Sequence, residues 1–198
     1  MTAERWPIDY LRPARIMRHI APRTTAGTVS TAGFTQRVSV PIHSWQITYE
    51  NILVGTAEQL RVWDAYEAYL DGGSTPILVP LIGDAMTSTP DGTSVGAYAV
   101  GATVMTVQRI GAAIVPGQHF SIQERLYRAF GVTAIGGDQY TFSFRPPLRD
   151  GFATGWPIWF NDLICKCRLA TDDEMSLTID PAKMGTATVR FVEDPNAD

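Results

Sequence analysis

The residues best suited to chemistry are two cysteines, three histidines and one acidic run, and their spacing argues against a reactive centre. Cys165 and Cys167 lie in Leu163-Ile164-Cys165-Lys166-Cys167-Arg168-Leu169. Alternate residues of a strand share a face, so both thiols point the same way beside Leu163 and Leu169. That places them as buried small hydrophobes rather than as a metal or redox pair. A zinc site would need two further ligands, and His19, His43 and His119 are scattered far from the pair in sequence. Asp172-Asp173-Glu174 carries the oxygen ligands a hard cation takes, but consecutive residues on a turn face water. His119, in Gly117-Gln118-His119-Phe120, has no carboxylate at short range to orient it as a general base and reads as a structural or exposed histidine.

Motifs that would change this picture are missing. The chain reads as having no Gly-x-Ser-x-Gly elbow, no Gly-x-x-x-x-Gly-Lys phosphate loop, no His-Glu-x-x-His pair and no Gly-x-Gly-x-x-Gly after a strand. No nucleophile, base and orienting group can be assembled, so the expectation is a non-enzyme with no catalytic, cofactor-binding or metal site.

The charged residues point the same way. A formal net charge of -4 argues against a sequence-wide attraction to nucleic acid. Lys166 and Lys183 are the only lysines, so arginine supplies nearly all the positive charge, a bias that suits planar subunit contacts but follows equally from genomic base composition. Gln123-Glu124-Arg125 with Arg128, and Arg145 with Arg149, place charge at strand ends. Tyr140, Phe142 and Phe144 alternate away from Arg145, so no basic face is interleaved with aromatics as single-stranded nucleic acid would require. Solvated strand ends or subunit contacts account for these arginines.

The elements that would position such residues are mostly strands. With 198 residues and 45% hydrophobic content the chain can bury one good core or two small ones. It shows no apolar leader and no apolar run of spanning length, which gives no secretory signal and no membrane insertion. Short apolar runs surround Ile16, Met17 and Ile20, and the Gly/Thr/Ser stretch Thr24 to Gly33 has little to bury and reads as a mobile loop or arm. Phe34 to Val40 and His43 to Leu53 follow as strands, the second with Trp45, Ile47, Tyr49 and Leu53 on one face. Thr56-Ala57-Glu58-Gln59 matches a capping box, and Val62, Trp63, Tyr66, Tyr69 and Leu70 form one stripe of the helix it opens. Gly72-Gly73 ends that helix, Thr75 to Ile82 is a strand, and Gly83 to Gly96 has the composition of a linker or exposed turn.

A compact β module comes next, with strands at Thr103 to Arg109, Gln118 to Ile122, Leu126 to Val132 and Tyr140 to Arg145, closed off by Pro146-Pro147. Strands resume at Trp156 to Phe160, Leu163 to Leu169, Glu174 to Asp180 and Thr186 to Val192, before a frayed Asp194 to Asp198. The fold class expected is therefore mainly β with one helix at 56–71: residues 1–88 and 152–198 complete one β-sandwich domain, and residues 90–151 form an inserted small barrel that folds by itself.

The order of these segments resembles a known family. Trp45-Gln46-Ile47-Thr48-Tyr49, the capped helix with Trp63 and Tyr66 to Leu70, Gly72-Gly73 and Pro76-Ile77-Leu78-Val79-Pro80-Leu81 resemble the tail-tube-like domain of tailed-phage tail-tip proteins. Pro116-Gly117-Gln118-His119-Phe120 through Leu126-Tyr127-Arg128 to Phe144-Arg145-Pro146-Pro147-Leu148-Arg149 resembles their inserted OB-like barrel. Cys167-Arg168-Leu169-Ala170 and Val189-Arg190-Phe191-Val192-Glu193 are similar to their closing strands. The resemblance implies a distal tail protein of a long-tailed phage or gene transfer agent, assembled in the host cytoplasm and located at the virion tail tip. Such a protein forms a hexameric ring that joins the tail tube to the hub and anchors receptor-binding proteins. An acidic conduit would let DNA pass without specific binding. The alternative is that the inserted module recognises host glycan. Two cysteines fall short of the about four thiolates of an iron-sulfur tip protein, so no cluster is implied.

Overall fold

Two six-stranded sheets organise the chain, and each follows from a stretch of alternating sequence. The computed structural model describes residues 3–29, 35–81, 89–179 and 185–194. The first sheet has the order β1-β4-β11-β12-β3-β2, from β1 (Glu4–Arg5), β2 (Arg15–Val29), β3 (Thr35–Val54), β4 (Ile77–Leu81), β11 (Leu163–Leu169) and β12 (Gly185–Glu193). All of its pairings are antiparallel except β1 with β4. Helix α1 (Ala57–Leu70) lies on this sheet. The second sheet, β10-β5-β6-β9-β8-β7, uses β5 (Gly92–Ser94), β6 (Val104–Gln108), β7 (His119–Ile122), β8 (Arg125–Gly136), β9 (Gln139–Arg145) and β10 (Pro157–Ile158). It curls into a nearly closed barrel. The chain is thus mainly β, with one α-helix among the described residues and a small barrel whose strands lie between β4 and β11 of the first sheet.

The helix begins where its cap dictates. Thr56 Oγ1 accepts from the Gln59 amide at 3.1 Å, and Gln59 Oε1 accepts from the Thr56 amide at 3.2 Å, which satisfies two otherwise orphaned donors. Trp63 and Leu70 are buried beneath it, with Val62, Tyr66 and Tyr69 half-buried alongside. The chain leaves the helix through a left-handed turn that starts at Asp71 (φ 44°), one residue before the glycines.

On β3, Trp45, Ile47 and Tyr49 face the core, but Leu53 does not: it is 45% exposed while Ile52 and Val54 are buried. The cause is a β-bulge. Asn51 takes φ 55°, and the register against β12 shifts between Tyr49 and Ile52, so the inward parity switches from odd to even residues. Trp45, Ile47 and Tyr49 then join Trp6, Leu11, Trp63, Val79, Cys165, Cys167 and Phe191 in one core. β4 is buried on both faces, which explains its unbroken apolar run.

Other expectations need correcting. Thr24–Val29, read as part of a loop or arm, is strand, paired from Thr24↔Ser39 to Val29↔Thr35; the remainder of that stretch, residues 30–33, lies outside the described residues, as does Phe34. The two strands expected from 34 to 53 are one, β3. The linker at 83–96 contains β5; residues 82–88 lie outside the described residues. Glu174 to Asp180 is not a strand: residues 172–175 form a turn, and Asp180 lies outside the described residues. Here Thr171 Oγ1 bonds Asp173 and Glu174 at 2.7 and 3.0 Å, so local side chains compete with a ladder.

The barrel buries Phe120, Tyr127, Phe142 and Phe144 around Met105 and Val107, with Tyr140 half-buried at the margin. Phe120 stacks on Tyr127 at 5.4 Å and meets Phe142 and Phe144 edge-on at 5.3 and 5.7 Å. The gap between β7 and β10 is bridged by Ser121 and Trp159, whose amides donate to each other's carbonyls at 2.7 and 3.0 Å. A fragment of residues 90–151 would omit β10 and this bridge.

Candidate functional site

Among the described residues, the places that bring polar side chains together include the seam between barrel and sheet, a groove along β2, and a cavity beside the seam. The seam holds the residues that sequence alone left as solvated strand ends or subunit contacts. Arg149 reaches from the barrel to Glu193 on β12, Nε to Oε1 at 3.0 Å and Nη2 to Oε2 at 3.3 Å. Its Nη2 also donates to the His43 carbonyl. Glu193 is fully buried and accepts the Trp45 amide at 2.9 Å as well. Burial would lower the Arg149 pKa, and the hydrogen bond and charge of Glu193 outweigh it, holding the guanidinium above its ordinary value.

The rest of the seam is knit in the same way. Arg125, 2% exposed, donates to the Asp194 carbonyl, and Trp45 Nε1 donates to Leu126 O at 2.7 Å. Leu126 itself enters the core of the first sheet. The Lys166 amide donates to Glu124 O at 2.7 Å, and Ser121 Oγ both donates to and accepts from the Ile164 backbone at 3.1 and 2.9 Å. Arg125 and Arg149 are therefore internal clamps. Arg128 is exposed, and Arg145 lies over the Phe130 ring at 5.6 Å.

Cys165 and Cys167 are free and fully buried, and desolvation pushes the Cys167 thiol up, away from reactivity. His119 packs against Trp45 with ring centroids 5.5 Å apart; burial first, then Arg18 and Arg128, push its pKa down to about 4. Glu174 does not face water: its side chain is 4% exposed and bonds the Arg190 guanidinium at 2.7 Å and the Arg190 amide at 3.0 Å. Asp173, exposed, is held low by the Thr171 hydroxyl. Among the described residues no group of three His, Cys, Asp or Glu could hold a metal ion.

The spacing Gly-x-Ser-x-Gly does occur, at Gly92-Thr93-Ser94-Val95-Gly96. It is no nucleophile elbow. Ser94 is 3% exposed on barrel strand β5, its Oγ donates to Ala153 O at 3.2 Å and accepts the Trp156 amide at 2.9 Å, and no helix follows.

The groove along β2 has a volume of about 720 Å³ and is lined by Arg12, Arg15 and Arg18 with Tyr10 and Leu53. The cavity beside the seam has a volume of about 320 Å³ and is walled by Trp156, Pro157, Trp159, Gln123, Glu124 and Asp162. Neither was visible as a site in the sequence. The nearest signal was Trp156-Pro157-Ile158-Trp159, which reads as strand; the structure pairs only Pro157–Ile158 in the sheet and leaves the two indoles flanking it.

No protein-family model matches the chain, and no curated protein matches it. Among the described residues no helix is long and apolar enough to cross a membrane.

Proposed function

We infer that the chain is a structural subunit of the distal end of a long phage tail or gene transfer agent, working as a hexameric ring between the tail tube and the hub that carries receptor-binding proteins. The observation that carries this reading is the β2–β3 hairpin. Its outer part, Arg23–Val29 with Thr35–Val40, pairs with itself beyond the reach of β12, and β2 is the last strand of its sheet. Among the described residues β2 has no partner but β3, and an open edge this long is a liability in a monomer and a ready contact between copies. Arg12, just before β2, and Arg15 and Arg18 on it are exposed, Arg15 with Glu50 at 3.7 Å, while Glu58, Asp64 and Glu67 are exposed on α1, so one copy offers a basic edge and another an acidic face. Such a head-to-tail contact closes into a ring when its rotation permits.

The seam supports the same reading. A barrel clamped to the sheet by a buried ion pair and buried hydrogen bonds suits a rigid bracket that transmits load better than a hinged domain. The test is native mass spectrometry with negative-stain electron microscopy of the full chain: hexameric rings are expected, and a strict monomer at high concentration would contradict the reading.

A further inference from the structure

The five tryptophans divide into two groups. Trp6, Trp45 and Trp63 are each 1% exposed and spend their indole N–H on the backbone carbonyls of Leu11, Leu126 and Met175, at 2.9, 2.7 and 3.0 Å. Trp156 and Trp159 line the 320 Å³ cavity, and neither indole N–H has a partner among the described residues. Trp156 is 37% exposed and Trp159 half-buried, so both N–H groups are open to solvent and can donate to a ligand. Beside them, the Glu124 carboxylate and the Gln123 amide also have no protein partner among the described residues. The other carboxylate of the wall, Asp162, is already held by Arg5 at 2.6 and 3.2 Å.

The walls are fixed before any ligand arrives. Gln123 and Glu124 take φ 50° and 62° at the tip of the two-residue turn between β7 and β8, and Glu124 O is pinned by the Lys166 amide. The Trp156 amide is held by Ser94 Oγ, and Trp159 pairs through its backbone with Ser121. Preorganised walls reduce the entropic cost of binding.

We propose that this cavity is a saccharide-binding site, taking one or two pyranose rings. A pyranose lays a flat C–H face on an indole and presents hydroxyls that both donate and accept. The cavity offers two indole N–H donors, one free carboxylate acceptor and an amide that does both. An organic cation would use the indole faces and the carboxylates but leave the N–H donors unspent, and the Arg5 guanidinium at Asp162 opposes it. A planar apolar ligand would bury Glu124 unpaired. The site lies on the seam rather than on the barrel alone, since Trp156 and Trp159 follow residue 151. It does not depend on ring assembly.

The test is tryptophan-fluorescence titration of the full chain with methyl glycosides of glucose, galactose, rhamnose and N-acetylglucosamine, with chitotriose and maltotriose, and with choline. Saturable binding of at least one sugar is expected, weakened about tenfold or more in Trp156→Ala and about tenfold in Glu124→Gln, where a charge-assisted hydrogen bond is lost. Trp156→Phe, which keeps the aromatic face and loses the N–H, should bind more weakly than the parent and more tightly than Trp156→Ala, which separates loss of the aromatic face from loss of fold, and Ile110→Ala, at an exposed barrel position outside the cavity lining, should change nothing. Saturation by choline alone, no saturable sugar binding, or sugar binding unchanged in Trp156→Ala and Glu124→Gln would each overturn the proposal.

Discussion

Arg149 and Glu193 form a two-point ion pair across the seam, with the arginine side chain 12% exposed and the glutamate fully buried. Because Glu193 also accepts the Trp45 amide, and Arg149 also donates to His43 O, one buried pair fixes two strands, β12 and β3, to the barrel. Removing one partner strands the other in a dry site, and this costs more than the pair contributes. Arg149→Ala should lower stability by about 3 to 5 kcal/mol. The double variant Arg149→Met, Glu193→Gln should recover part of that loss. Urea denaturation followed by fluorescence measures both, and a single variant within experimental error of the parent would show that the pair does not clamp the seam.

His119 gives the pH dependence. Its folded pKa lies near 4 against an ordinary 6.5, so between those values the unfolded chain binds the proton and the folded chain does not. The contribution is fully present above about pH 6.5 and is lost as pH falls toward 4. His119→Gln should flatten this part of the stability profile. Denaturation midpoints collected from pH 4 to 7 test it, and an unchanged slope would assign the acid sensitivity to other groups.

Asn51 sets the parity switch on β3. At φ 55° an Asn or Gly is tolerated and a β-branched residue is strained. Asn51→Gly should be close to neutral, and Asn51→Val should cost on the order of 1 to 3 kcal/mol. Thermal melts of the two variants distinguish a required left-handed residue from an incidental one.

The charges along β2 yield a prediction about assembly. Arg12→Glu with Arg18→Glu should shift the oligomer toward monomer, and the parent should weaken in the same direction as salt rises. Sedimentation velocity across a salt series reads this out; oligomers indifferent to both changes would place the contact elsewhere.

What was legible in the sequence was local. The alternation of Leu163 to Leu169 and Thr186 to Val192 marks β11 and β12 because each buries one face, and the Thr56/Gln59 box marks the helix start because the cap is made within four residues. What was hidden depends on distant partners. Nothing near Arg149 announces Glu193, 44 positions away, so a clamp looks like a surface charge. Thr24–Val29 lacks the apolar side chains that mark a strand, yet it pairs because β3 lies beside it. Met175, Leu177 and Ile179 alternate like a strand, yet Thr171 and Glu174 hold the preceding segment in a turn. The cavity was hidden for a similar reason, since Trp156 and Glu124 come from different strand connections and meet only when Ser121 and Trp159 close the barrel.

We propose that this chain assembles into a ring through the edge strand β2. Native mass spectrometry of the full chain at tens of micromolar and low salt tests it most directly. A dominant species of six chains is expected, falling to monomer in the Arg12→Glu, Arg18→Glu variant. A monomer throughout the concentration range, for the parent as well as the variant, would contradict it.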